Sequence, residues 1–128
     1  MLGSRVYAAE WQWSVPIMEV VSEETGSHPQ AFLWVPPTCS RVKAVVVGQH
    51  NMCEETLFEN SLFRREMEEA GIALVWISPI LDFPWDVTNG CNDELLDALN
   101  NLAEVSGYDE LKLTPIVPLG HSAMATFP

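Results

Sequence analysis

A serine shortly after an apolar run is the feature of this sequence that most directly indicates chemistry. Gly120-His121-Ser122-Ala123-Met124-Ala125 follows the apolar segment 115–119. A Gly-x-Ser turn that leaves a buried strand and enters a helix bends the backbone so that the serine hydroxyl is exposed in a cleft, an arrangement called a nucleophile elbow. The pattern therefore predicts Ser122 as a nucleophile.

Attack by a serine on a carbonyl group also requires hydrogen-bond donors for the negative charge that develops on the carbonyl oxygen. The backbone N–H of Ala123, directly after the serine, is the first expected donor. The second is expected from the loop after the third strand, and the register of that loop leaves Asn51, Met52 and Gln49 open as its source. We favour Met52, with Asn51 next.

His50 lies in the same loop. Loops at the carboxyl ends of strands line the clefts of α/β proteins, so we expect His50 to contact substrate. The other interpretation is a loop histidine whose ring is hydrogen-bonded to backbone and takes no part in binding.

Composition predicts a folded domain and excludes several classes of partner. The chain has 128 residues, of which 48% are hydrophobic and 19% charged, which is far from the profile of a disordered segment. Its formal net charge is −12, and we expect neither nucleic acid nor membrane as a partner because phosphate-rich surfaces would repel it. The oligomeric state is left open by the sequence.

The cysteines and the N-terminus carry expectations about cofactors and location. Cys39, Cys53 and Cys91 are widely spaced and form no C-x-x-C pair, so neither a zinc site nor a disulfide framework is expected, and no cofactor is. The first ten residues lack the basic patch and apolar run of a signal peptide. Together these features favour a cytoplasmic location.

The order of apolar patterns predicts the fold class. Two strands at 11–21 and 31–35 form an antiparallel hairpin. Strands at 42–47, 73–77 and 115–119 then alternate with helices at 54–70 and 93–106, and this alternation is typical of an α/β fold with helices packed on a parallel sheet. The helix at 54–70 is predicted to be continuous, with its apolar stripe formed by Phe58, Leu62, Phe63, Met67 and Ala70.

With these residues in place, the chain resembles the N-terminal half of an α/β-hydrolase of the serine esterase and lipase type. The resemblance covers the hairpin, the oxyanion loop, two crossover helices and the elbow Gly120-His121-Ser122-Ala123. It implies a mostly parallel sheet with flanking helices, Ser122 as nucleophile and a small-molecule ester as substrate. It also implies that the acid and histidine of a catalytic triad follow the serine in the chain.

His28, His50 and His121 all precede Ser122, so we expect the triad partners to lie outside these residues. Residues 1–128 would then form an incomplete α/β-hydrolase domain that ends just after the elbow. A complete domain of this kind needs about 200–250 residues. We therefore expect the chain alone to be inactive.

Two departures from the family pattern keep other functions open. Met124 stands where Gly-x-Ser-x-Gly has its second glycine, and the loop after the third strand lacks the glycine-rich His-Gly-Gly form. A non-catalytic binding protein on a hydrolase scaffold is the first alternative. A serine peptidase on the same fold is the second, because fold does not determine substrate.

Overall fold

Five strands pair into one sheet in the computed structural model, which describes residues 11–21, 25–49, 54–79 and 91–119. The strands are β1 (Trp13–Pro16), β2 (Gln30–Trp34), β3 (Ala44–Gln49), β4 (Ile72–Ser78) and β5 (Ile116–Pro118), in the spatial order β1-β2-β4-β3-β5. The helices are α1 (Glu54–Phe58), α2 (Ser61–Ala70) and α3 (Cys91–Ser106), and a 3-10 helix (Asp109–Lys112) precedes β5. The predicted α/β class is confirmed.

The prediction of a mostly parallel sheet is wrong, because the sheet is mixed. β3 pairs in parallel with both β4 and β5, whereas β2 pairs antiparallel with both β1 and β4. The hairpin of β1 and β2 therefore joins the sheet through an antiparallel contact with β4. Its register aligns Ala31 with Ile77 and Leu33 with Val75, which places the apolar residues of both strands on the same face.

Two apolar clusters cover opposite faces of the sheet. On one face α3 packs over alternate residues of the strands; Val45, Val47, Val75, Ile77, Leu99 and Leu102 belong to this cluster. The other face carries α1 and α2 and contains Trp34, Val46, Phe58, Leu74 and Trp76. A strand that is covered on both faces is apolar at consecutive positions, and this accounts for the uninterrupted run of valines in β3.

The continuous helix predicted over residues 54–70 is wrong: the chain forms two helices that meet at Glu59 and Asn60. The Asn60 side chain accepts a hydrogen bond at 2.9 Å from the backbone N–H of Phe63 and so caps the N-terminus of α2. The break also turns Leu62 to solvent, where 63% of its surface is exposed. α2 ends at Gly71, whose positive φ of 74° suits a residue without a Cβ.

A buried arginine holds the junction of α1 and α2. The guanidinium carbon of Arg64 lies 4.7 Å from the ring centroids of both Trp11 and Trp34, so the cation is stacked between two indole rings. Its Nε donates to the carbonyl oxygen of Phe58, the last residue of α1, at 2.7 Å. The indole N–H of Trp11 donates to Glu59 at 3.1 Å, which ties the segment before β1 to the same junction.

We expect Arg64→Lys to lower the free energy of unfolding by about 2 kcal/mol, because an ammonium group cannot stack between two rings and keep the Nε hydrogen bond. Urea unfolding of the full natural protein measures the change. Arg65→Lys, at the exposed neighbouring arginine, is the matched control and should change stability by less than about 0.5 kcal/mol. Equal effects of the two substitutions would contradict the role assigned to Arg64.

Candidate functional site

The strand order reverses between β3 and β5, and this reversal defines a crevice. From β3 the chain moves through α1 and α2 to β4 on one side, and from β4 it returns through α3 to β5 on the other side of β3. Because crossover connections are right-handed, two connections that run in opposite directions along the sheet lie on opposite faces of it. The two apolar clusters agree with this, since α3 packs on one face and α1 and α2 pack on the other. Ligands of open α/β sheets bind outside the carboxyl ends of the strands at such a reversal.

The strands that border this crevice lead directly into the loops with the sequence-predicted site residues. The backbone N–H of Leu119 donates to the carbonyl oxygen of Val47 at 2.9 Å, so β5 stays paired with β3 up to the start of the Gly-x-Ser turn. The site residues themselves lie outside the described residues; these are His50, Asn51, Met52, Ser122 and Ala123. What the structure determines is the position of the strand ends that precede them.

The reach of the chain limits how far apart these residues can be. Neighbouring strands lie about 4.8 Å apart, and each residue advances the chain by at most about 3.6 Å. Asn51 is two residues beyond Gln49 at the end of β3, and Ser122 is three residues beyond Leu119. The residues of both segments therefore follow adjacent strand ends at the same edge of the sheet.

α1 packs back on β3, the strand that precedes it. Phe58 is fully buried and lies against Gly48, where an added Cβ would be 2.8 Å from the Cζ atom of the ring. The same ring packs against Trp76 and Phe63 at centroid distances of 5.6 and 6.0 Å. Gly48 is thus needed for the close approach of α1 to β3.

Gln49 is a candidate site residue whose side chain the sequence analysis missed. It is the last residue of β3 and only 1% of its surface is exposed. The side-chain amide of glutamine has two N–H donors and an acceptor oxygen, and buried amides in proteins are hydrogen-bonded. Its amide can therefore hold backbone groups at the mouth of the crevice. The signal available in the sequence was a polar residue that directly follows the apolar run of β3.

The Glu94 carboxyl, in the first turn of α3, is an acidic group with a raised pKa. Burial of the Glu94 carboxyl and the nearby charges of Glu19 and Asp97 raise the pKa of Glu94, and a hydrogen bond with Glu19 adds to this effect. One carboxyl oxygen of Glu94 is buried without a hydrogen-bond partner. Within the described ranges no three histidine, cysteine or acidic side chains form a group that could hold a metal ion.

Comparison with known proteins gives a sparse result. No family model matches the chain, and no curated protein matches it either. Among solved structures, a hyperthermophilic esterase from the archaeon Pyrobaculum calidifontis is similar over 90% of this chain, with 17% sequence identity and a TM-score of 0.40. The chain spans 36% of the length of that esterase chain. None of the helices within the described residues has the length and apolar character to cross a bilayer.

We expect Gly48→Ala to destabilise the protein by about 1–3 kcal/mol, because the added methyl group overlaps the Phe58 ring and forces it away from the sheet. Urea unfolding measures the loss. Phe58→Leu shortens the opposing side chain, so the double variant should lose less stability than the sum of the two single variants. Additive losses would show that the contact between residues 48 and 58 is not the cause.

We expect stability to rise as the pH falls through the titration of Glu94. A carboxyl whose pKa is raised by folding binds its proton more tightly in the native state. Its ionised form therefore destabilises the native state above the raised pKa, and this destabilisation disappears below the ordinary pKa. Glu94→Gln should therefore stabilise the protein at pH 7 and flatten this part of the pH profile. Thermal unfolding between about pH 4 and 7 measures both effects.

The matched control for the loss of one negative charge is Glu69→Gln, at an exposed position on α2. If Glu69→Gln stabilises the protein at pH 7 as much as Glu94→Gln does, the effect comes from the change in net charge and not from the surroundings of Glu94.

Proposed function

We propose that this chain is part of a serine hydrolase with an α/β-hydrolase-like fold that acts on small-molecule esters, and that Ser122 is its nucleophile. The observation that supports this function is the reversal of strand order between β3 and β5. It makes neighbours of the two strand ends that precede the residues with the proposed oxyanion donors and the proposed nucleophile. A nucleophile and oxyanion donors must act on the same carbonyl group, and adjacent strand ends favour such an arrangement.

The proposed reaction proceeds in two steps. The Ser122 hydroxyl gives its proton to a histidine and its oxygen bonds to the ester carbonyl carbon, while the N–H groups of Ala123 and of Met52 or Asn51 hold the oxyanion. The alcohol leaves with the proton from the histidine, and water then releases the acid from Ser122 by the same route. In this proposal the histidine and its acid partner come from sequence beyond residues 1–128, and His50 contacts substrate.

The proposed partners follow from charge and from the chemistry of the site. A chain with a net charge of −12 disfavours nucleic acid and anionic membranes, so we propose a small ester substrate and no such macromolecular partner. The chemistry needs no cofactor, because a serine, a base and backbone donors suffice. The free thiol of Cys39 is consistent with the reducing environment of the cytoplasm.

A non-catalytic binding function is the second candidate, and Met124 is the observation that favours it. The position two residues after the nucleophile of Gly-x-Ser-x-Gly is small because strand and helix approach closely there. A methionine at that position crowds the turn and would displace the serine from its reactive geometry. A protein of this kind would keep the crevice and bind a ligand without cleaving it.

Ser122→Ala tests the proposal in the full natural protein. We expect a fluorophosphonate probe to label the unsubstituted protein at Ser122, as mapped by mass spectrometry, and turnover of an activated ester to fall at least about 1,000-fold in the variant. Ser61→Ala, at an exposed serine that begins α2, is the control and should keep both labelling and turnover. A folded protein that stays unlabelled would favour the binding function.

A further inference from the structure

A second cleft lies at the opposite edge of the sheet from the proposed ester site. It has a volume of about 520 Å³ and is formed by residues 41–43, which lead into β3, and by residues 109–110 and 113–115, which lead into β5. β3 has six residues and is therefore about 20 Å long, so the two sites are separated by the length of the strand. Volumes of this size are typical of small-molecule sites.

The polar lining of this cleft contains charges of both signs. Arg41 and Lys43 are exposed at alternate positions of an extended segment, and Asp109 and Glu110 belong to the 3-10 helix. The Glu110 carboxylate accepts a hydrogen bond from the backbone N–H of Val42 at 2.6 Å, which fixes it beside the two cations. The four side chains sum to zero charge, in contrast to the strongly acidic chain as a whole.

A buried hydroxyl in the same cleft is left without a partner. The backbone N–H of Thr114 donates to the carbonyl oxygen of Glu110 at 2.9 Å, but its side-chain Oγ1 is buried and has no hydrogen-bond partner. Leaving a buried hydroxyl unpaired is unfavourable, and such groups in native proteins call for an explanation such as a bound molecule. Thr114 lines the cleft, so a ligand there can supply the missing hydrogen bond.

Apolar side chains form the rest of the lining of the cleft. Val42 and Pro115 border the cleft, and Leu113 at its rim has 89% of its surface exposed. Ligand sites combine apolar walls with a few convergent polar groups. A ligand that contacted Leu113 would remove this large side chain from water, which is favourable.

We propose that this cleft binds a zwitterion with an apolar body, namely an apolar α-amino acid. Its carboxylate lies against Arg41, Lys43 and the Thr114 hydroxyl, and its ammonium group against Asp109 and Glu110. Its side chain covers Leu113. A ligand with no net charge is not repelled by a chain of net charge −12, whereas a simple anion is.

Three ligands of the same shape test the pairing of charges. Leucine carries both charged groups, 4-methylpentanoate lacks the ammonium group, and 3-methylbutylamine lacks the carboxylate. Titration calorimetry on the full natural protein should show leucine binding at least about tenfold more tightly than either analogue, because each loses charge-assisted hydrogen bonds. Equal binding of 4-methylpentanoate and leucine would overturn the proposal, and so would the absence of leucine binding up to about 10 mM.

Two variants connect the binding to the named side chains. Thr114→Val removes the unpartnered hydroxyl and should weaken leucine binding about tenfold without lowering the unfolding temperature of the free protein. Asp109→Asn should bring the affinity for leucine close to that for 4-methylpentanoate. The matched controls are Thr38→Val, whose hydroxyl donates to Glu68, and Asp97→Asn on α3; neither should change leucine binding. Unchanged affinity in Thr114→Val would contradict the assigned site.

Discussion

The structure depends on one constraint, which is that β3 has a parallel neighbour on each side. Parallel strands cannot be joined by a tight turn, so the connections from β3 to β4 and from β4 to β5 must each cross a face of the sheet with a helix. Because one crossover runs away from β5 and the next runs back toward it, right-handedness sends them to opposite faces. The carboxyl ends of β3 and β5 are left adjacent, and the proposed ester site belongs there.

The short helix α1 is held by tertiary contacts. α1 has five residues, too few for a helix to be stable alone in water. It keeps its place because Phe58 packs on Gly48 and because Arg64 hydrogen-bonds its last carbonyl group. Arg64 is in turn enclosed by two tryptophans from outside the helices. The place of α1 on the sheet thus depends on a buried cation in the next helix.

The two edges of the sheet differ in what they offer a ligand. At the carboxyl edge the ends of the neighbouring strands β3 and β5 lie side by side, which suits a reaction that needs groups from the segments after both strands. At the amino edge the chain segments that lead into β3 and β5 are tied together by the bond from the Val42 N–H to Glu110. That edge is bordered by charged side chains and an unpartnered hydroxyl. Since both clefts form between the same two strands, one strand pair supports two separate proposed sites.

The sequence by itself determined the class of the fold and the order of its elements, because apolar periodicity shows which side of a segment avoids water. It also placed the Gly-x-Ser turn after a strand, and the structure confirms a strand at Ile116–Pro118; the roles of Ser122 and the oxyanion loop stay predictions. Only the tertiary structure decided the pairing of β2 with β4, the burial of Arg64 and Gln49, and the cleft beside Thr114. These features depend on which distant side chains meet, and local patterns carry no information about partners far along the chain.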